Sequence, residues 1–199
     1  TVIVKATDGS GLDDEGKLTI KILDLNDQPY FTAAGSSYAF SLDENSPKNT
    51  PVGTQVLCVN DDDGDKQAYT FMIVAETPAG LFQFDVASTA TPSCLAAAQM
   101  KVASTVSTPM IDLNFEGATN RFDVSVSVTD TGTPKLSAVA SVVITLNDIN
   151  DAPVLLAAIG LTVSESAIVG SLVDTIVATD DDISQPTEAL TYTIDDNSG

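Results

Sequence analysis

Asp148-Ile149-Asn150-Asp151-Ala152-Pro153 sets three acidic or amide side chains around one apolar residue, between a strand-like run and a proline. Upstream, Asp24-Leu25-Asn26-Asp27-Gln28-Pro29 repeats the arrangement in the same setting. A proline cannot donate to a β-ladder, so each copy closes one sheet and opens a new segment. Two such stops divide the chain.

The segments on either side read as strands. Thr1 to Thr7 is β-branched and alternating, Asp8-Gly9-Ser10-Gly11 breaks it, and Lys17 to Leu23 alternates again through Leu18, Ile20 and Ile22. Two alternating runs around a glycine-rich loop predict a β-hairpin. The pattern restarts at Phe31, and Tyr38, Phe40 and Leu42 lead into Asp43-Glu44-Asn45. Further strands are expected over 52–59, 69–74 and 81–86. Residues 87–110 are rich in Ala, Ser and Thr, carry little charge and read as a long, partly extended insertion. Arg121 to Val128 alternates strictly (Phe122, Val124, Val126, Val128) and ends in Thr129-Asp130; Ala138 to Leu146 is the last strand before the Asp148 linker. Nowhere do apolar residues hold a helical period. Short strands separated by turn signals imply all-β sandwiches.

Acidic markers recur at one spacing. Asp8 returns as Asp130, Asp24 as Asp148, Glu44 as Glu165 and Asp61-Asp62-Asp63 as Asp180-Asp181-Asp182, all at a period of about 120 residues. One complete domain is expected over 30–153 with its linker. Residues 1–29 read as the last strands of a preceding domain plus linker, and 154–199 as the first part of a following one. Thr1 opens within a strand pattern and Gly199 closes within a domain, so the chain reads as an internal piece of a longer protein.

Composition narrows the chemistry. Carboxylates outnumber bases 28 to 8, a net charge of -20, which repels nucleic acid and anionic lipid. The natural counter-ions are cations. Because the acids fall in short clusters at matching places, hard cations bound by oxygen fit better than a merely solvated face. There is no histidine, so the commonest general base and transition-metal ligand are missing. Cys58 and Cys94 are too few for a zinc site; they pair if the compartment is oxidising and are otherwise two buried thiols. No apolar run reaches the length of a membrane span. The acidic pairs Asp61/Asp63 and Asn114-Phe115-Glu116 lack the aromatic sugar cleft a glycosidase would need, with no Trp in the chain, and no glycine-rich phosphate loop is present. An enzyme is not expected. Asp61-Asp62-Asp63-Gly64-Asp65 fails as an EF-hand loop, because no helices flank it and Met72 stands where the closing Glu belongs. Its plainer reading is a polar turn.

Taken in order, these motifs resemble tandem cadherin repeats: an Asp-x-Asn-Asp linker, a Glu after the first strand and an Asp-x-Asp after the second. Asn-Phe-Glu stands where that family has Asp-x-Glu, and Thr-Asp closes the penultimate strand. The resemblance spans essentially the whole chain. It implies extracellular Greek-key, immunoglobulin-like sandwiches joined end to end, with calcium ions at each boundary. Carboxylates that repel each other in a metal-free joint would become its ligands, so calcium turns a loose joint into a stiff one.

Carried over residue by residue, the second joint would take Glu44, Asn114 and Glu116 from the complete domain. The linker would add Asn150 and Asp151, with the carbonyls of Ile149 and Ala152; Asp180 and Asp182 would come from the next domain. The first joint would take Asn26 and Asp27, the carbonyls of Leu25 and Gln28, and Asp61, Asp63 and Asp130. Asp8 and Glu165 would serve further joints, and Asp24 and Asp148 would fix turns rather than ligate. Three features depart from the family pattern. Asn114 replaces an Asp, Gln28 and Ala152 replace Asn, and both linkers are one residue short before the proline. The resemblance implies cell adhesion through other cadherin-like domains, of the same chain or of neighbouring molecules; the rival is a subunit of an extracellular filament. No Asn-x-Ser/Thr acceptor is present, so N-glycans are not expected; the Thr/Ser-rich stretch from Ser88 to Thr108 leaves room for O-glycans, the one route by which the chain would be a glycoprotein.

Overall fold

In the computed structural model, residues 1–64, 67–77, 79–85, 93–103, 113–156, 162–182 and 190–194 are described. In chain order the strands begin with β1 (Val2–Thr7) and β2 (Asp13–Leu18), then β3 (Tyr30–Phe31), β4 (Ser37–Asp43), β5 (Leu57–Asn60), β6 (Thr70–Thr77) and β7 (Phe82–Phe84). They continue with β8 (Ala96–Ala98), β9 (Met100–Val102), β10 (Arg121–Thr129), β11 (Ser137–Asn147), β12 (Val154–Leu155) and β13 (Ala178–Thr179).

The strict alternation of β10 shows why a sandwich forms. Phe122, Val124, Val126 and Val128 are all at most 1% exposed, while the residues between them face outward. β10 pairs antiparallel with β11, and β11 lies parallel to β4 in register from Ser37↔Ser141 to Asp43↔Asn147. With β6 on the other side of β10, the sheet order is β4-β11-β10-β6. Facing it are the sheet β3-β5-β8 and the pair β7-β9. All members of the buried core lie between Phe31 and Leu146, with Phe82 edge-on to Phe122 at 5.5 Å between ring centroids. Each fully buried Val or Phe removes enough apolar surface from water to contribute about 1.5–3 kcal/mol.

Three sequence expectations need correction. The first hairpin pairs Val2↔Leu18 through Thr7↔Asp13, so its second strand is Asp13–Leu18 and not 17–23; Ile20, Ile22 and Leu23 lie beyond it, exposed. The turn decides this register. Asp8 accepts the N–H groups of Ser10 and Leu12, and its own N–H donates to Leu12 O at 2.8 Å. Local closure there outweighs side-chain alternation.

The run expected over 52–59 is split. Val52 N–H donates to Met100 O, then Gly53, at φ 66, turns the chain over the ring of Phe40 before β5 begins at Leu57. A left-handed glycine is what permits that turn.

The expected insertion over 87–110 is core in its middle. Ala96, Ala97, Ala98, Met100 and Val102 are each no more than 2% exposed and supply β8 and β9. The flanks of that stretch, and Asp65, lie outside the described residues. Cys58 of β5 is disulfide-bonded to Cys94, with the Cα atoms 5.4 Å apart.

Candidate metal centre at the ends of the sandwich

The parallel pairing of β4 and β11 delivers two chain ends side by side. Asn147 Nδ2 donates to Asp43 Oδ1, and Glu44 N–H donates to Asn147 O. Glu44 is therefore carried inward, 3% exposed, where its two carboxylate oxygens accept the N–H groups of Ile149 (2.8 Å) and Phe115 (2.7 Å). Around it, oxygens of Glu44, Glu116, Asp148 and Asp182 lie within 4.8 Å of one another. Asp182 comes from the segment beyond the linker, and its N–H in turn donates to Asp180 Oδ1. Asp151 N–H donates to Asp182, and Asp151 Oδ1 accepts Asn45 Nδ2 at 2.8 Å.

Four carboxylates so close repel one another. Desolvation, followed by Glu44, Asp182, Asp181 and Asp180, holds the Asp151 carboxyl above its usual range. A backbone hydrogen bond lowers that of Glu116, but desolvation and the charges of Glu44, Asp148 and Asp182 outweigh it and raise the balance. Asn114 Oδ1 is buried with no hydrogen-bond partner. An all-oxygen group with surplus negative charge and an unused amide oxygen fits a hard divalent cation such as calcium.

The opposite end of the sandwich gathers Asn26, Asp27, Asp61, Asp63 and Asp130. Asp130 is 2% exposed; burial acts to raise its pKa, but hydrogen bonds from Leu136, Asn26 and Gly132 prevail and hold it low. Asp61 Oδ1 accepts Asp63 N–H at 3.0 Å, while its buried Oδ2 has no partner. Desolvation and then Asp61 push the neighbouring Tyr69 hydroxyl up to about 12. Asp27 is raised by desolvation and by Asp63, and its N–H donates to Asp63 Oδ2 at 2.7 Å. Here too an orphaned buried oxygen stands among carboxylates.

Among residues singled out from sequence, Glu44, Glu116 and Asp182 share one cluster, and Asp151 touches it. Asn150 lies exposed with its amide turned to Asp151 O. Leu25, Ile149 and Ala152 are exposed, as is Glu165, and Asp8 is occupied in its hairpin turn. Asp148 differs from expectation: its carboxylate stands inside the cluster. Asn45 and Gln67 were missed; an amide directly after Glu44 is the signal that could have found Asn45, whereas Gln67 stands between Lys66 and Ala68 with no such signal.

No family model matches the chain. It is 30% identical over 180 residues to mouse protocadherin Fat 4, covering 85% of this chain and 3% of that protein. To mouse protocadherin Fat 2 it is 32% identical over 194 residues, 96% of this chain and 4% of the other. Human cadherin-22 is 30% identical over 199 residues, 98% of this chain and 23% of its own length. The chain thus spans less than a quarter of each of these relatives. Among solved structures, human CDH23 EC21-23 superposes with a TM-score of 0.57 at 23% identity, covering 90% of this chain and 52% of that one. Mouse protocadherin-24 EC1-3 gives 0.56 at 17% identity, over 89% and 54%. Fold and sequence together define an all-β sandwich of the cadherin-ectodomain type. In sequence and in fold the chain is similar to cadherin-like repeats. Such repeats are extracellular, and among the described residues no helix is long and apolar enough to cross a membrane.

Proposed function

We propose that this chain is a piece of a calcium-stiffened rod serving cell adhesion, with domains divided at 1–29, 30–153 and 154–199. Glu44, Asn114, Glu116, Asn150, Asp151, Asp180 and Asp182 would hold calcium at the second joint, with Asp148 added to them. Carbonyls of Ile149 and Ala152 would complete that set. Asn26, Asp27, Asp61, Asp63 and Asp130 would hold it at the first, with carbonyls of Leu25 and Gln28. The carrying observation is the approach of Asp182 to Glu44, Glu116 and Asp148 from the far side of a linker. Bound there, calcium would supply the positive charge that lets these carboxylates remain together. Partners would be other cadherin-like domains, in the same or a neighbouring molecule. Relatives that are cadherins favour adhesion over a filament subunit and leave catalysis without support.

Titrating calcium into the 199-residue chain tests this. A ligand at about 100 times its dissociation constant stabilises by about 2.7 kcal/mol. The melting temperature should rise and small-angle scattering should show a longer, straighter particle. A chain whose melting and scattering ignore calcium would overturn the reading.

A further inference from the structure

The two linkers share a motif, yet their amide side chains do different things. Asn26 Nδ2 donates to Asp130 Oδ2 at 3.0 Å and to Pro134 O at 2.9 Å. Its Oδ1 accepts Gln67 Nε2 at 2.6 Å, and the same nitrogen of Gln67 reaches Asp63 Oδ2 at 2.9 Å. Gln28 Nε2 donates to Ser137 O at 2.5 Å. The Asn26 amide lies directly over Gly132, where an added Cβ would come within 1.6 Å of Asn26 Oδ1. At the other linker the matching Asn150 turns its amide to the carbonyl of its own neighbour, Asp151, at 2.8 Å. Ala152, the match of Gln28, has no side-chain donor.

We propose that Gln67 and Gln28, with Gly132 leaving the space, form a cation-independent latch that seats the 26–28 linker on the sandwich. Gln67 acts as a positioning residue: its Nε2 holds Asn26 Oδ1 of the linker and Asp63 Oδ2 of the sandwich at a fixed separation. The two joints therefore respond differently to loss of calcium. The 26–28 linker stays docked through its amide side chains, whereas the 148–153 linker keeps only the contacts of Glu44 with Ile149 and of Asn45 with Asp151. None of these hydrogen bonds needs a metal to form, and several acting together resist opening more than one alone. The inference rests on reading the linkers as calcium joints, but the latch is measured without calcium.

The test is residue-resolved amide hydrogen exchange by NMR on the 199-residue chain in excess chelator. The Asp27 N–H, donated to Asp63, should exchange at least about tenfold slower than an unstructured amide, tenfold being the effect of about 1.4 kcal/mol. The Asp151 N–H, donated to Asp182 among the repelling carboxylates, should exchange more slowly still once calcium is added. Gln67→Ala and Gly132→Ala should each remove the Asp27 protection while the sandwich melts as the parent does. Gln67→Glu, equal in size but without donors, should behave like Gln67→Ala; a space-filling role would be preserved by it. Should Gly132→Ala unfold the sandwich, the double variant Gln28→Ala/Gln67→Ala carries the same test. An unprotected Asp27 in chelator, or protection that survives loss of Gln67, overturns the latch. An Asp151 amide indifferent to calcium sinks the calcium reading instead and leaves the latch standing.

Discussion

The carboxylate of Glu44 accepts the backbone N–H of Ile149 at 2.8 Å, a contact between residues 105 apart in sequence. Because its other oxygen binds Phe115 N–H, one buried side chain ties the end of β4, the loop around residue 115 and the linker together. Glu44→Gln keeps the shape but turns an NH2 group towards one of two N–H donors. A buried donor left unsatisfied costs about 1–3 kcal/mol. Urea unfolding should show a loss of that size, together with a reduced calcium-induced rise in melting temperature. Parent-like values in both would contradict the clamp.

Asp151→Ala and Glu116→Ala should act with opposite signs in the two metal states. With chelator, each removes a charge from a crowded acidic group, so melting is unchanged or slightly higher. With calcium, each removes a ligand, and the calcium-induced shift shrinks. Unfolding of either variant in chelator would make these residues structural.

The raised carboxyl of Asp151 fixes a pH dependence. In chelator, a raised folded-state pKa means that its favourable contribution is complete below the ordinary value of 3.8. That contribution is lost as pH rises through the raised value. Calcium competes with the same proton. Affinity should therefore fall on acidification, and begin to fall at a higher pH than an ordinary exposed aspartate would require. Calorimetry in two buffers of different ionisation heat should show proton release on binding; binding without any proton release in this window would refute it.

Met100 distinguishes core from insertion. At 0% exposure it should lose about 2–5 kcal/mol on replacement by Ala, whereas a residue of a solvated insertion would lose almost nothing. Chemical denaturation measures it directly.

The Cys58–Cys94 disulfide, at a separation of 36 residues, should stabilise by about 3–4 kcal/mol through restriction of the unfolded chain. The double Ser variant should unfold at correspondingly lower urea, and a reductant should lower the parent to the same midpoint.

Much of the fold is legible wherever burial on one face imposes period two. β4, β10 and β11 are read nearly to their ends because alternate residues must face the opposite sheet. β8 and β9 are not, because alanines and a methionine in a Ser/Thr-rich context carry little hydrophobic contrast, and their burial is decided by what packs over them. β2 was displaced since the Asp8 turn sets its register, and Asp13, Asp14, Glu15 and Gly16 are poor strand formers. At the candidate metal centre, the spacing of acidic markers singled out Glu44 and Asp182, and the resemblance of Asn114-Phe115-Glu116 to a cadherin motif pointed to Glu116. The side-chain direction of Asp148, and the reach of Gln67 to Asn26, depend on tertiary placement that one sequence does not display.

β4 and β11 run parallel through all seven residues of β4. Chain enters the sandwich before β4 at one end and leaves after β11 at the other. Tension applied along the molecule therefore slides these two strands past each other, and their hydrogen bonds must yield together rather than one after another. An unzipping hairpin would give way bond by bond. In the rod proposed above, the same pairing that brings Glu44 beside the linker would let this sandwich pass a pull along the chain without opening its core.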